Sequence, residues 1–256
     1  MNHLSEPPLI SIITVTKNCV STIGRTLESV QAVKAPDVQY IIIDGESSDG
    51  TLSAVARYKH VVDVLISEKD SGIYNAMNKG AAIANGQYVV FLNGDDFLLA
   101  DGFNQAKKLL AEAKPEILSC QSEVCAQDGG KLERLKPSLW RLFFFNTIPH
   151  PSTFVSSVLQ QQYKFREQFR IAADYDLFLR MFLDRHRFAV GELVTATHHR
   201  GGFSNDPMRA IAEMRAIRKD NLGIALYGLS RMVESLNGFV NDVMELFALR
   251  SKSSRG

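Results

Sequence analysis

The chain lacks the features that mark several specialised classes of protein. It has three cysteines among 256 residues, an odd number without CxxC spacing, which disfavours a disulfide framework and a zinc site. No apolar run approaches the roughly 20 residues that span a bilayer. Residues 1–8 lack the basic stretch and apolar core of a signal peptide. We therefore expect a cytoplasmic protein with reduced thiols.

Charge of one sign and glycine-rich loops are also lacking. The 29 Lys and Arg residues nearly balance the 28 Asp and Glu residues, for a net charge of +1. This balance argues against nucleic acid as a partner and against a strongly basic membrane-binding surface. No GxxxxGK(S/T) motif occurs and no GxGxxG follows the first apolar run, which disfavours kinases, NTPases and dehydrogenases.

The first half of the chain alternates apolar strand patterns with helical patterns. The predicted strands cover residues 9–16, 39–43, 61–66 and 87–92, and a fifth begins at Glu116. The predicted helices cover residues 21–33, 72–84 and 101–113, and a further helix begins at Thr51. Strands separated by helices predict βαβ units. The expected fold is α/β, with a mostly parallel central sheet flanked by helices.

The second half of the chain is less regular. A hairpin turn is predicted at residues 128–130 and an aromatic segment at 139–145. A helix at 174–183 and a strand at 188–195 follow, and two helices at 208–221 and 226–249 close the chain. We interpret residues 1–205 as one domain. Residues 206–256 are then a helical appendage that packs on this domain or on a second copy of the chain.

Asn93-Gly94-Asp95-Asp96 is the most informative motif. It follows an apolar run, residues 88–92, and two adjacent carboxylates at the end of a buried strand are costly without a cation or hydrogen-bond donors. Ligands of open α/β sheets bind at this carboxyl edge. Two interpretations stand about even for the motif alone: a divalent cation bound to a phosphorylated ligand, and an ordinary turn.

Polar clusters follow each of the other three strands as well. They are Thr16-Lys17-Asn18, residues 44–51 and residues 67–72. Parallel strands share a direction, so all four clusters should meet at one edge of the sheet. Four acidic or hydroxyl-rich loops at one edge suit a ligand with a base, a ribose and a metal-bound diphosphate.

These blocks resemble family 2 glycosyltransferases of GT-A fold, a Rossmann-like fold of nucleotide-diphospho-sugar transferases. The resemblance is carried in order by residues 11–18, 43–51, 66–80, 91–96, 150–154 and 171–180. Residues 66–80 look like the signature of a subgroup that assembles colanic acid, capsule and lipopolysaccharide. The resemblance covers roughly residues 8–205.

The resemblance implies roles for the residues that follow the strands. Asp44 would hydrogen-bond the nucleobase of the donor, and Thr16 and Asn18 would line the same pocket. Asp70 would lie beside the nucleoside. The donor would be a UDP- or GDP-sugar.

The same resemblance assigns the metal site and the catalytic base. Asp95 would lie near the ribose and the metal-bound diphosphate, and Asp96 is the first choice as ligand to Mn²⁺ or Mg²⁺. Asp174 aligns with the general base of the family. A base on the face opposite the leaving group gives a single displacement with inversion. The implied function is transfer to a glycan or lipid-linked acceptor during surface polysaccharide assembly.

Other residues keep two interpretations open. Asp174 stands at the start of an apolar helix, so it is either the base or a helix N-cap. Asp176 is the weaker candidate base because it points elsewhere on a helix. His150 and Trp140 are candidates for the acceptor pocket, although core packing is the favoured interpretation of Trp140. His198 or its neighbour at position 199 is a candidate to complete the metal site.

The chain departs from the family pattern at three positions. Many relatives carry two aspartates where this chain has Asp44-Gly45, and an aspartate where Asn93 stands. Asn is a neutral oxygen ligand, so the affinity for a metal would be modest. Relatives often carry an arginine where this chain has Met77. This chain therefore lacks one possible contact to a diphosphate.

Two rival functions remain open at this point. A sugar-nucleotide nucleotidyltransferase should carry a glycine-rich basic loop after the first strand, where residues 16–20 have no glycine. A non-catalytic nucleotide- or glycan-binding module would bind the donor without releasing a nucleoside diphosphate. Peripheral association with the inner face of the membrane and homodimer formation are open alternatives for the partners.

Overall fold

The computed structural model describes residues 7–125, 133–199 and 206–236. The predicted hairpin turn at 128–130, the stretch 200–204 and the end of the last helix lie outside these residues. In the first half, the strands are β1 Ile10–Thr16, β2 Val38–Asp44, β3 Val64–Ser67, β4 Tyr88–Asn93 and β5 Phe97–Leu98. The helices between them are α1 Ile23–Val33, α2 Thr51–Ala56, α3 Ile73–Ile83 and α4 Ala100–Ala113.

The second half begins with β6 Ile117–Cys125. It continues through β7 Glu133–Leu135, 3₁₀ helices at Leu139–Phe143 and His150–Ser152, β8 Thr153–Ser156, α5 Ser157–Gln162, α6 Ala173–Leu183, β9 Phe188–His199 and α7 Pro207–Asn221. A further helix begins at residue 224 and is described through residue 236. The sequence patterns did not predict β5, β8 or α5, because two to six residues are too few to show a period.

One sheet runs through the molecule in the order β3-β2-β1-β4-β8-β6-β9-β5, with β7 paired to β6. The first four strands are parallel neighbours, as expected for βαβ units. The second half adds antiparallel pairs, β4 with β8, β8 with β6 and β9 with β5. The α/β fold class is confirmed, and its sheet is mixed beyond β4.

The sheet lies between two helical layers because its central strands are apolar on both faces. Alternate residues of β1 show this: Ile13 packs in a core with α3 and α6, whereas Ile12 packs in a core with α1, α2 and α4. Both are fully buried. Burial on both faces is typical of parallel strands covered by helices.

The first helix of the predicted appendage, α7, packs on the domain formed by the preceding residues. Ile217 of α7 is fully buried and belongs to the core that α3 and α6 share. The boundary near residue 205 stays a prediction. No helix among the described residues is long and apolar enough to cross a membrane.

Candidate active site

The carboxyl ends of the parallel strands bring the predicted polar clusters together. Thr16 pairs with Asp44 across β1 and β2, and Asp44 pairs with Ser67 across β2 and β3. Val15 pairs with Asn93 on the other side of β1. The four loops therefore leave the sheet at one edge, as the sequence predicted.

A cavity of about 540 Å³ lies at this edge. Thr16, Asp70 and Asp95 line it, together with Lys17 and Cys19. Burial raises the pKa of the Cys19 thiol, and its Sγ lies 2.5 Å from Thr16 Oγ1. Cys19 is therefore a neutral wall residue and not a reactive thiolate.

Two predicted residues, Asp44 and Asn18, do not line this cavity and instead bind the loop after β2. Asp44 is fully buried, and its carboxylate accepts from the Ser47 N–H at 2.9 Å, Ser47 Oγ at 2.5 Å and Ser67 Oγ at 2.7 Å. Asn18 Oδ1 accepts from the Ser48 N–H at 2.9 Å. Both residues fasten the loop after β2, and direct contact of either with a nucleobase stays a prediction.

Gly45 explains one departure from the family pattern. A Cβ at this position would collide with Asp70 Oδ2 and would lie 3.3 Å from Lys17 Cδ. Asp70 is held there because its Oδ1 accepts from the Gly72 N–H at 2.9 Å. The space of a side chain at position 45 is thus filled by the Asp70 carboxylate.

The Asn93–Asp96 segment forms a turn, and its residues line the walls of two cavities. The Asp96 N–H donates to the Asn93 carbonyl at 3.1 Å, and Asn93 Nδ2 donates to Asp96 Oδ2 at 3.1 Å. Thr26 Oγ1 donates to the Asp96 carbonyl at 2.6 Å. Asp96 is only 3% exposed but lines a second cavity, and Asp95 lines both cavities.

The donor set of this turn fits a hard divalent cation. Asn93 Oδ1 is buried with no hydrogen-bond partner, and the Asp95 and Asp96 carboxylates stand in the same cavity wall. Carboxylate and amide oxygens are the ligands that Mg²⁺ and Mn²⁺ prefer. No group of three or more His, Cys, Asp or Glu side chains arranged for a metal occurs in the described part of the chain.

The second cavity, of about 220 Å³, contains Asp174. The N-cap of α6 is Ala172, so Asp174 is the second residue of the helix and the N-cap interpretation is wrong. Its Oδ2 accepts from Asn146 Nδ2 at 3.0 Å, and its Oδ1 lies 3.3 Å from the Tyr74 hydroxyl. Burial, followed by the charge of Asp174, raises the pKa of Tyr74 well above its usual value. The Tyr74 hydroxyl therefore keeps its proton at neutral pH and acts as a hydrogen-bond donor.

Unpaired polar atoms mark this cavity as a place for a polar ligand. Asn146 Oδ1 and His150 Nε2 are buried without partners, and both residues line the cavity. The His150 ring packs against Phe91 and Phe165 at centroid distances of 5.2 and 5.6 Å. Burial lowers the pKa of His150, so its ring is neutral at pH 7. Buried polar atoms are normally paired, and a hydroxylated ligand would pair these.

Three residues of the second cavity were missed in the sequence. Tyr74 lies within the 66–80 block and Arg170 directly precedes the 171–180 block, but neither was given a role. Nothing in the sequence pattern marks Asn146. Arg170 lines the same cavity as Met77, so a guanidinium is present although the position of Met77 lacks one.

The histidines near residue 198 lie on β9 and not in a loop. His198 lines the second cavity, and its Nδ1 lies 2.9 Å from Ser122 Oγ. The side chain at position 199 lies outside the described residues. A contribution of His198 to a metal site stays a prediction.

Two other candidate residues from the sequence, Trp140 and Asp176, line neither cavity. Trp140 is 67% exposed, so its interpretation as a core residue is wrong. Its contact with an acceptor stays a prediction. Its 3₁₀ helix buries Leu142 instead and turns Trp140 outward. Asp176 is fully buried and forms ion pairs with Arg180 at 2.8 Å and Arg166 at 3.3 Å. Its role is therefore structural.

Comparison with known sequences gives relatives along most of the chain. The model of the family described as Glycosyl transferase family 2 matches residues 11–184. A PGL/p-HBAD biosynthesis glycosyltransferase of Mycobacterium bovis (strain BCG / Pasteur 1173P2) is 27% identical over 86% of this chain and 88% of its own length. A candidate teichuronic acid biosynthesis glycosyltransferase, TuaG, of Bacillus subtilis (strain 168) is 32% identical over 50% of this chain and 52% of its own length.

Solved structures share the fold. S. aureus TarS 1-349 in complex with UDP-GlcNAc superposes with a TM-score of 0.66 at 18% identity, over 81% of this chain and 65% of that one. The mannosyltransferase PcManGT from Pyrobaculum calidifontis, in complex with GDP-Man and Mn²⁺, superposes with a TM-score of 0.59 at 19% identity. This match covers 85% of the present chain and 63% of the mannosyltransferase chain. The chain thus spans slightly less than two thirds of either solved chain. These likenesses confirm the GT-A fold, and the family match over residues 11–184 shows that the chain belongs to glycosyltransferase family 2 and is a glycosyltransferase.

Proposed function

We propose that the protein transfers a sugar from a nucleoside diphosphate donor to a hydroxyl of a glycan or lipid-linked acceptor, with inversion at the anomeric carbon. The position of Asp95 carries this proposal, because Asp95 lines both cavities. A nucleotide in the larger cavity would direct its diphosphate past Asp95. Its sugar would then enter the smaller cavity, where Asp174 lies.

The larger cavity is proposed as the nucleotide site. Its volume of about 540 Å³ and its lining by Thr16, Lys17 and Asp70 suit a nucleoside with hydroxyl and phosphate groups. The fold relatives that were solved with UDP-GlcNAc and with GDP-Man support a donor of this class. The base and the sugar are left to experiment.

The Asn93–Asp96 turn is proposed as the cation site. Asp96 and Asp95 would hold the cation, with Asn93 Oδ1 as a neutral third ligand. A divalent cation held there would offset the charge that develops on the nucleoside diphosphate as it leaves. Arg170, in the wall of the smaller cavity, would add positive charge for the same leaving group.

Asp174 is proposed as the general base. An acceptor hydroxyl is a poor nucleophile at neutral pH, so its proton must be taken by a positioned group. Asn146 and Tyr74 orient the carboxylate. As the acceptor oxygen bonds to the anomeric carbon, its proton moves to Asp174, and the bond from that carbon to the phosphate oxygen breaks. Displacement in one step inverts the anomeric configuration.

The assembly of a cell-surface glycan is the proposed context. It is supported by the name of the Bacillus subtilis relative, which refers to teichuronic acid. The narrower subgroup of colanic acid and capsule enzymes, a location at the inner face of the membrane, and dimer formation are predictions that follow the same line.

A donor panel tests the proposed function directly. The purified protein is incubated with UDP- and GDP-sugars and simple glycan acceptors, with Mn²⁺ or with EDTA, and nucleoside diphosphate release is measured together with the product mass. We expect metal-dependent release that requires acceptor, and NMR of the product should show inversion. Pyrophosphate release from a nucleoside triphosphate and a sugar phosphate would favour the nucleotidyltransferase. A nucleotide-induced rise in Tm without turnover of any donor would favour the binding module.

A further inference from the structure

A carboxylate of the predicted appendage reaches the helix that carries Asp174. Glu213, on α7, accepts from three consecutive backbone N–H groups: Arg170 at 2.9 Å, Ile171 at 2.8 Å and Ala172 at 3.1 Å. Ala172 is the N-cap of α6. Glu213 thus binds the start of α6 from another element of the fold.

The N-terminus of α6 has no cap of its own. Ala172 has no side chain that can accept a hydrogen bond, and no side-chain cap is formed. The first N–H groups of a helix need acceptors, and the helix dipole favours a negative charge there. Glu213 supplies negative charge and an acceptor for one of these groups, the N–H of the N-cap Ala172, although it lies 41 residues from Ala172 along the chain. Its other two donors, the N–H groups of Arg170 and Ile171, directly precede the helix.

Glu213 is itself held in place and charged. Its side chain is only 12% exposed, and Arg209, one turn earlier on α7, lies 3.2 Å from its Oε1. Burial raises the pKa of Glu213, but the three backbone donors and Arg209 outweigh burial, so that pKa lies below its usual value. The carboxylate is therefore ionised at pH 7.

The segment that Glu213 binds connects two functional side chains. Arg170 is the first residue of this segment, Asp174 follows its last residue by two positions, and both line the smaller cavity. The Ile171 carbonyl, within the segment, accepts from the Tyr74 hydroxyl at 2.7 Å, and that hydroxyl also lies near Asp174. A shift of residues 170–172 would therefore move the base, its hydroxyl partner and the guanidinium together.

We propose that Glu213 is a positioning residue for sugar transfer, through which α7 fixes Asp174 and Arg170 in the smaller cavity. The inference rests on the proposed role of Asp174 as the base. It makes the first helix after residue 205 part of the active site, although none of its described residues lines either cavity. Misplacement of a reacting group by about 1 Å can reduce a rate on the order of 100-fold, so a loosened cap should have a large effect on kcat.

Three substitutions at one position separate positioning from simple stability. Glu213→Gln keeps the shape but loses the charge, Glu213→Ala removes the acceptor, and Glu213→Asp restores charge on a shorter side chain. Glu234→Gln is the matched control. Glu234 is a carboxylate of comparable exposure, 19%, and its ion pairs within the described part of the chain are with Arg215, Arg218 and Arg231, not with the start of α6.

The first measurement needs no substrate. Hydrogen exchange at the amides of residues 170–176 should speed up at least about tenfold in Glu213→Gln, because backbone protection reports local opening. Glu234→Gln should leave these amides unchanged. Unchanged protection in Glu213→Gln, in a protein that is folded by circular dichroism, overturns the proposal.

The second measurement uses the donor that the wild-type protein turns over. For Glu213→Gln and Glu213→Ala, kcat should fall at least about tenfold while KM for the donor and Kd for the nucleoside diphosphate stay within about twofold. Glu213→Asp should recover part of kcat. Equal losses of kcat in Glu213→Gln and Glu234→Gln, at similar Tm, overturn the positioning role.

Asp174→Asn, measured in the same series, keeps the two proposals distinguishable. An inactive Asp174→Asn with a fully active Glu213→Gln rejects positioning and leaves the base in place. An active Asp174→Asn rejects the base, and the positioning role falls with it.

Discussion

The larger cavity is built by the parallel half of the sheet and its loops, whereas the smaller one combines that half with elements of the second half of the chain. The larger one lies at the ends of β1, β3 and β4, and its wall residues belong to the last residues of β1 and β4, to the loops after these three strands, or to the first turn of α3. The smaller one takes Asn146 from a loop, Asp174 from α6 and His198 from β9. Residues after buried parallel strands share one location by topology. Residues of the second kind meet only through tertiary packing.

This difference sets an expectation for variants. Substitutions at the ends of the parallel strands, including the Asn93–Asp96 turn, should change the affinity for nucleotide, whereas substitutions at Asp174 and its partners should change the rate of transfer. A variant that alters both equally would break the comparison between the two halves.

The largest effect is expected at Asp174. Asp174→Asn should lower kcat by about 10²–10⁴-fold, the usual contribution of a general base, while the Kd for nucleoside diphosphate stays within about twofold. Single-turnover kinetics and calorimetric titration measure the two quantities. Asp176→Asn is the control, because Asp176 forms an ion pair with Arg180 and does not line the smaller cavity. It should lose stability and keep its chemical step.

Asp96→Ala should have the next largest effect, on the metal-dependent part of nucleotide binding. Removal of a charged ligand should abolish the additional rise in Tm that Mn²⁺ gives in the presence of UDP or GDP. Thermal shifts with Mn²⁺ and with EDTA measure this. Asp101→Ala, at an exposed position at the start of α4, should behave as wild type. A full Mn²⁺ response in Asp96→Ala would contradict the cation site.

Gly45→Ala should weaken nucleotide binding less severely. The new Cβ collides with Asp70 Oδ2, so Asp70 must leave its place in the wall, and we expect a loss of affinity of several fold. Gly24→Ala is the matched control because, among the described residues, only atoms of its chain neighbours and of its own helix backbone can lie within 4 Å of its Cβ position. Calorimetric titration of both variants with nucleoside diphosphate checks this. An unchanged Kd in Gly45→Ala would show that Asp70 does not contact the nucleotide.

The smallest effect concerns pH and the contact between the two halves. Glu167 accepts from Asn75 Nδ2 at 3.1 Å, Asn78 Nδ2 at 3.2 Å and Ser71 Oγ at 3.0 Å. Burial raises the pKa of Glu167, but these donors outweigh it and place that pKa below its usual value. A carboxyl with a lowered folded-state pKa stabilises the protein above its unfolded pKa, and that stability is lost as pH falls through the folded pKa.

Glu167→Gln tests that expectation. At pH 7 the variant should be less stable than wild type by on the order of 1 kcal/mol, since Glu167 is partly exposed. The difference should shrink as the pH is lowered below about 4, near the unfolded pKa of glutamate. Urea unfolding at both pH values measures it. A constant difference would mean that the charge of Glu167 does not contribute.

The two halves also differ in how far they could be predicted from the sequence. The runs of β1 and β2 are apolar over their whole length, so their strands and the loops after them were predictable. Asn93–Asp96 was recognised because two carboxylates after such a run need a reason. Asn146 and Glu213 carry no such mark, because their function depends on partners that are distant in the chain. Trp140 was misplaced since an aromatic residue on a five-residue 3₁₀ helix gives no period to show its face.

The shared wall at Asp95 has a consequence for inhibitor design. A single molecule with a nucleoside for the larger cavity and a hydroxylated ring for the smaller one would cross Asp95 and occupy both. Linking the two parts makes the second contact intramolecular, so the affinity of such a bisubstrate compound can exceed that of either part by orders of magnitude. The spacer must match the path past Asp95, and the length that binds best would report the distance between the proposed nucleoside site and the smaller cavity in solution.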